Sequence, residues 1–298
     1  MTSVPTVRTG WRLGQRLLPY LFVSPFLLGV LLYYAYPLGS SLYYSFTQYN
    51  VLTPPIWVGL RNYQQLFHDT DFIQGLTNTA LYVLFAVPLG TCMGFMQALL
   101  LNQKLPGRGL FRALFLVPAC LPQIAMASVW LFIWDPGEGL LDSLLTMLHL
   151  PSQAWIVDPV MVKWMFVSIT VWSGIGMLIF LSALQGVPSE LYDAAKVDGA
   201  SSFSRMFNVT LPSITPALLF NLLTGLIGAF QYFTLPMLMT QGGPIGGSTF
   251  VGQYLYDSAF SFFKMGYASA QAWILFVIIA AVVFVIFRTS ARWVYYEA

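Results

Sequence analysis

The chain has 298 residues, of which 57% are hydrophobic and only 8% charged, and its formal net charge is +2. Soluble domains carry about 25% charged residues, so polar side chains are too few to cover a water-soluble globule of this length, and lipid is the expected surrounding. The small net charge carries no signal for nucleic acid. Cys92 and Cys120 fall inside apolar runs and read as small hydrophobes without a disulfide framework. His68 and His149 lie in separate loops and form no metal-ligand cluster.

A membrane-spanning helix needs about 20 mostly apolar residues. Six runs qualify: 17–36, 80–101, 110–134, 160–184, 217–239 and 268–287. Residues 1–16 form a basic tail, and 17–298 read as a single all-α transmembrane domain. The first run is long enough to span and lacks a small-x-small cleavage site, so it is expected to stay attached. Lys163 can snorkel from the start of the fourth run. Pro25, Pro37, Pro88, Pro118, Pro122 and Pro236 predict kinks.

Basic residues set the orientation. With both termini inside, the inner segments hold Arg8, Arg12, Arg16, Lys104, Arg108, Arg112, Lys196, Arg205, Arg288 and Arg292, ten of the 13 Lys and Arg. Only Arg61, Lys163 and Lys264 fall outside. The outer segments 40–78, 135–159 and 241–266 are rich in Gly and Pro and read as loops. The cluster Gly242-Gly243-Pro244 is not a phosphate cradle, because no strand precedes it and no Gly-Lys-Ser/Thr follows. The aromatic stretch 250–264 suits a segment lying on the membrane surface.

The polar island Pro188–Pro216, between the fourth and fifth runs, reads as two short helices joined at a turn. Ser189 is expected to cap the first, with Glu190 and Asp193 in its first turn. Asp198-Gly199 ends it, since Gly adopts positive φ freely. Ser201 or Ser202 restarts the chain, with Phe203, Met206 and Phe207 on one face. Thr215 is expected to cap the next helix, with Pro216 at its first position.

The run Asp193-Ala194-Ala195-Lys196-Val197-Asp198-Gly199-Ala200, with Leu211-Pro212 downstream, resembles the EAA signature loop of ABC importer permeases. The leading acid is Asp193 where the motif has Glu. Segments 38–47, 58–67, 102–117, 182–200, 242–249 and 267–270 resemble, in order and spacing, carbohydrate-uptake permeases of the maltose and glycerol-phosphate type. The resemblance implies a type I ABC importer transmembrane fold with six spans, N-in and C-in, and a cytoplasmic coupling helix, set in a bacterial or archaeal inner membrane. It implies a second permease subunit, habitually a different chain, two ATPase subunits, an extracytoplasmic solute-binding protein and a carbohydrate substrate. The chain has no Gly-x-x-x-x-Gly-Lys-Ser/Thr loop, so ATP and Mg would be bound by the partner ATPase and not by this chain.

Two sets of site residues follow. Glu190, Asp193, Ala194, Ala195, Asp198, Gly199 and Ala200 are the expected coupling contacts, the small ones fitting a groove on the ATPase. Trp172 and Ser173 on the fourth run, and Asn221, Gln231 and Tyr232 on the fifth, are the candidates for the substrate path, because polar groups inside a membrane are costly. Asn221, Gln231 and Tyr232 are spaced near three helical turns and would share a face. The bland alternative for each is an interhelical hydrogen bond. Gly174, Gly176, Gly225 and Gly228 permit close helix approach or serve as hinges.

The rival classes lack their own signals. A membrane-embedded transferase needs clustered carboxylates or His at the membrane face, and the acids are scattered. An ion-driven secondary transporter ordinarily carries ionisable residues at mid-span, and none lies centrally in any run. An ABC permease for a non-sugar solute stays open.

Overall fold

The computed structural model describes residues 10–103, 106–172 and 175–295. Five helices are long and apolar enough to cross a membrane: Pro19–Ser45, Thr70–Asn102, Met161–Gly186, Thr215–Met239 and Met265–Ser290. A bent pair, Arg108–Pro118 and Gln123–Trp134, makes a sixth if counted as one span.

The second span, Thr70–Asn102, is the hub, packing against both halves of the fourth span and against the fifth. It starts ten residues before the apolar run, because Asp69 caps it: Asp69 Oδ1 accepts from the Asp71 and Phe72 N–H groups at 3.0 and 3.2 Å. Further in, a Cβ on Gly94 would stand 3.2 Å from the Gly176 carbonyl carbon and the Met177 nitrogen. The second and fourth spans therefore touch through backbone. In lipid such contact is held by van der Waals packing, since lipid tails are as apolar as the side chains. Two apolar clusters flank the contact. One gathers Tyr82, Phe166 and Phe250, the other Ala98, Met177, Phe180, Leu184 and Ile214.

The prolines expected to kink the spans act unevenly. The first span runs unbroken to Ser45 despite Pro37. Pro37 has no N–H for the Tyr33 carbonyl, and a π turn at Leu31–Ala35, closed by the Tyr36 N–H to Leu31 carbonyl bond, carries the helix past it. The third run is two helices bent by 94°. Pro118 and Pro122 flank the bend and deny it backbone donors, and Leu121 before Pro122 is held extended at φ −80° and ψ 141°. The fifth span breaks after Phe230 and resumes at Thr234. Pro236 would drive its ring into the Tyr232 carbonyl if the helix continued, and it is tolerated in the first turn of the new helix.

The outer loops are more structured than their Gly and Pro content predicts. Residues 40–78 hold a hairpin pairing Thr47 with Trp57 and Gln48 with Ile56, then helix Arg61–Leu66. Residues 135–159 hold helix Leu140–Met147. The stretch 250–264 is packed into the bundle at its start and exposed at Phe260, Phe262 and Phe263. Phe250 and Val251 are fully buried and Ala259 nearly so, because helix Val251–Tyr256 packs into the bundle. Asn78 ties the Gly-Pro loop to the second span, its Nδ2 donating to the Gly246 and Thr249 carbonyls at 2.9 Å each. Cys92 and Cys120 are free and exposed.

Candidate functional site

The polar island folds as a foot below the fourth and fifth spans. Its first helix is Ser189–Val197. Pro188, not Ser189, stands at the N-cap position, and no side chain caps this end. Ser189 has already entered the helix, so its hydroxyl is past the place where a cap could accept. Glu190 sits in the first turn and Lys196 in the last, both matching the helix dipole.

The C-terminus is closed by backbone alone. The Ala200 N–H donates to the Ala195 carbonyl at 2.9 Å and the Gly199 N–H to the Lys196 carbonyl at 3.0 Å. This pairing is a Schellman motif, with Gly199 left-handed at φ +73°. A Cβ there would meet nothing within 4 Å, so glycine is required by conformation and not by space inside this chain.

The second arm begins at Ser201, whose hydroxyl accepts from the Ser204 N–H at 3.2 Å. It runs through helix Ser202–Arg205, a π turn at Met206–Thr210 and the turn Leu211–Ser213 into the fifth span. Tyr192 and Thr210 share a 3.0 Å hydrogen bond between their hydroxyls, which braces the two arms. Ile214, 1% exposed, anchors the top of the foot in the cluster with Met177, Phe180 and Leu184. Thr215 does not cap its helix. It donates to the Pro212 carbonyl at 2.7 Å and accepts from the Tyr295 N–H at 2.9 Å, binding the C-terminal segment to the root of the foot.

The lower surface of the foot is open. Glu190, Asp193, Ala194, Asp198 and Gly199 are exposed, and Ala195 and Ala200 half-buried. Asp193 and Lys196 pair at 2.7 Å in solvent, worth little. Val197 is 89% exposed and Phe203 74%, with the Phe207 ring tilted beside that of Phe203 at 4.6 Å between centres. Large apolar side chains are thus held in the open between charged ones on this surface.

The substrate-path candidates do not gather on one face. Asn221 is buried, and its Nδ2 donates to the Gly176 carbonyl of the fourth span at 3.4 Å. Gln231 is exposed at the helix break. Tyr232 stacks on Tyr82 at 4.6 Å within the Phe166–Phe250 cluster, and its hydroxyl is buried without a partner among the described residues. The break at Gln231–Phe233 is the reason, since the shared-face expectation assumed a continuous helix. Trp172 is half exposed at the end of helix Met161–Trp172. Ser173 and Gly174 lie outside the described residues.

The sequence reading missed a clamp on the other side of the bundle. Asp69 Oδ2 accepts from the Tyr254 hydroxyl at 2.7 Å and from the Tyr267 hydroxyl, joining the second span, helix Val251–Tyr256 and the sixth span. Burial alone would raise the Asp69 carboxyl. The hydroxyls of Tyr267 and Tyr254 and the N–H groups of Phe72 and Asp71 outweigh it and hold the group below its ordinary value. Burial and the Asp69 charge push the Tyr254 hydroxyl upward. Asp69 ahead of an apolar helix was a readable cap signal; its distance from the apolar run hid it.

The described residues thus form a bundle of five or six spans that carries an exposed, braced polar foot. Residues 86–296 match the family described as binding-protein-dependent transport system inner membrane component, and the chain belongs to that family. It is an inner-membrane transport subunit, an ABC permease without its own ATPase. It is 38% identical over 285 residues to the probable ABC transporter permease protein YesP of Bacillus subtilis, covering 94% of this chain and 92% of that one. It is 32% identical over 288 residues to the sulfoquinovosyl glycerol transport system permease protein SmoG of Agrobacterium fabrum, covering 93% and 92%. Its fold matches a chain of the bacterial alginate ABC transporter in complex with alginate pentasaccharide-bound periplasmic protein, with a TM-score of 0.81 at 20% identity over 95% of this chain and 97% of that one.

Proposed function

We propose that this chain forms half of the translocation pathway of an ATP-driven sugar importer and is driven through its foot. A second permease subunit completes the pathway, two ATPase subunits bind ATP and Mg below, and a solute-binding protein delivers the sugar outside. The orientation is N-in and C-in, which sets the foot in the cytoplasm, where ATP is. The sugar assignment draws on the solutes named for the relatives.

The observation that carries the reading is the foot itself. Helix Ser189–Val197 is closed by backbone hydrogen bonds, braced by Tyr192 to Thr210 and rooted at buried Ile214. A push on its exposed surface, through Glu190, Asp193, Ala194, Ala195, Asp198, Gly199 and Ala200, reaches the fourth and fifth spans without being absorbed by a slack loop. ATP-driven closure of the ATPases then swings the spans and opens the cavity outward, and hydrolysis returns them. For the path itself the polar and aromatic groups Trp172, Ser173, Asn221, Gln231 and Tyr232 remain the candidates. Asn221 has the weaker claim, since its amide already bridges two helices.

Gly199 gives the test. Gly199→Asn keeps a residue that tolerates left-handed backbone, so assembly and uptake should persist. Gly199→Trp projects a bulky group into the open space beside the turn and should leave the chain in the membrane while separating ATP hydrolysis from uptake. Normal sugar uptake by the Gly199→Trp transporter in proteoliposomes would refute the docking role.

A further inference from the structure

The bias of Lys and Arg toward the inner side leaves Arg61, Lys163 and Lys264 outside. Two of these three exceptions, Arg61 and Lys264, line one cavity of about 290 Å³ between the 47–57 hairpin, helix Arg61–Leu66 and the turn before the sixth span. No acidic residue lines it. Among the described residues neither cation stands within ion-pair distance of a carboxylate. Asp71 and Asp257 line the neighbouring cavity, which Lys264 also borders, but do not reach it.

The rest of the lining suits a hydroxylated ring. Gln48, Asn50 and Gln65 bring amides. The Asn50 Oδ1 is occupied by the Thr53 N–H and hydroxyl, at 2.9 and 2.6 Å, which leaves its Nδ2 as the donor. Phe262 adds an apolar face, with Lys264 Nζ 5.9 Å from its ring centre. The walls are fixed in advance. Asn62 Nδ2 donates to the Ser45 and Thr47 carbonyls at 2.9 Å each, and Gly266 lies so close to the Thr47 carbonyl that a Cβ would collide. Ligand pockets run from about 300 to 1,000 Å³, so the space takes one ring and not an oligomer. Arg61 and Lys264 are exposed and, among the described residues, have no carboxylate partner, so an oxyanion entering beside the amide donors would take charge-assisted hydrogen bonds, the strong type.

We propose that this cavity is an outer subsite for an acidic sugar, a carboxylate-bearing monosaccharide unit whose oxyanion pairs with Arg61 and Lys264 and whose hydroxyls meet Gln48, Asn50 and Gln65. The proposal rests on the sugar-import reading and adds the charge of the solute.

The test uses the assembled transporter in phosphatidylcholine nanodiscs, in a Cys92→Ser, Cys120→Ser background. Ile56→Cys on the cavity wall serves as reporter. D-glucuronate at about nine times its Kd should slow modification of the reporter by a sulfonate-bearing thiol reagent about tenfold, through occupancy of the site, and D-glucose at the same concentration should not. Arg61→Gln with Lys264→Gln should abolish that protection while leaving the rate with a neutral thiol reagent unchanged. No protection by glucuronate, equal protection by glucose, or protection that survives the double variant each overturns the proposal. Protection without sugar in discs containing phosphatidylglycerol assigns the site to a lipid headgroup and overturns it as well. Stimulation of ATPase activity by the binding protein is read in the same preparation. If it is intact while glucuronate fails, the subsite falls and the importer reading stands; if it is absent, both fall.

Discussion

Single residues do different work on the two sides of the bundle. At Gly199 the demand is conformational, a positive φ that other residues reach only with strain. At Asp69 it is electrostatic, one carboxylate joining a helix cap to two tyrosine hydroxyls. Asp69→Ala should lower the stability of the purified transporter by about 1–2 kcal/mol at neutral pH through the lost cap and acceptor. Asp69→Asn keeps a capping oxygen and removes the charge. Because the Asp69 carboxyl is held below its ordinary value of 3.8, its contribution is complete above that value and is lost as pH falls through the lowered one. The stability gap between wild type and Asp69→Asn should therefore be constant near neutrality and close below about pH 4. A gap unchanged in acid, measured by thermal unfolding in detergent, would contradict the clamp. Asn221 illustrates the limit of reading single residues: a polar side chain in a span could face a solute or a neighbouring helix, and only packing chose the Gly176 carbonyl.

Among the elements, the second span decides how the bundle holds together. Its Gly94 meets backbone of the fourth span at 3.2 Å, where lipid offers no hydrophobic drive and close packing, beside the Tyr82–Thr170 hydroxyl hydrogen bond at 2.6 Å, holds the two spans together. Gly94→Leu should force these spans apart, costing about 1–3 kcal/mol from overpacking and lowering the yield of assembled complex. Gly90→Leu, where a Cβ meets nothing within 4 Å, should assemble normally; equal yields would argue against the tight seam. Among the other elements, proline bends the chain at two of the places where kinks are expected, and at a third it does not. Pro236 breaks the fifth span, Pro118 and Pro122 bend the third, and Pro37 is bypassed by a π turn. A hydropathy run records that a stretch is apolar and cannot record whether its backbone stays straight.

For the whole molecule, the first span is the outlier. None of its most apolar window is buried within this chain, against 28% for the second span and 40% for the fourth. Its surface is left to lipid and to the second permease subunit of the proposed assembly. The orientation is the other whole-molecule property, and it is open to a direct test. In the cysteine-free background and without the ATPase subunits, Val197→Cys, at a position 89% exposed in this chain, should react with an impermeant thiol reagent in inside-out vesicles and not in intact cells. Labelling from outside would invert the assignment and remove the foot from the ATPases.

The sequence by itself determined that the chain is a multispan membrane protein, that its spans lie near the observed runs, and that residues 188–216 form a glycine-broken polar element of a recognisable kind. These features are local: apolar length, the bias of Lys and Arg, and a positive-φ glycine at a helix end are written in consecutive residues. Only the tertiary structure decided that Asn221 bridges to the fourth span, that Tyr232 stacks on Tyr82, that Phe250 and Val251 are buried, and that Arg61 and Lys264 line one cavity. Each of those depends on residues far apart in the chain, brought together by packing whose register and bends no stretch of sequence contains alone.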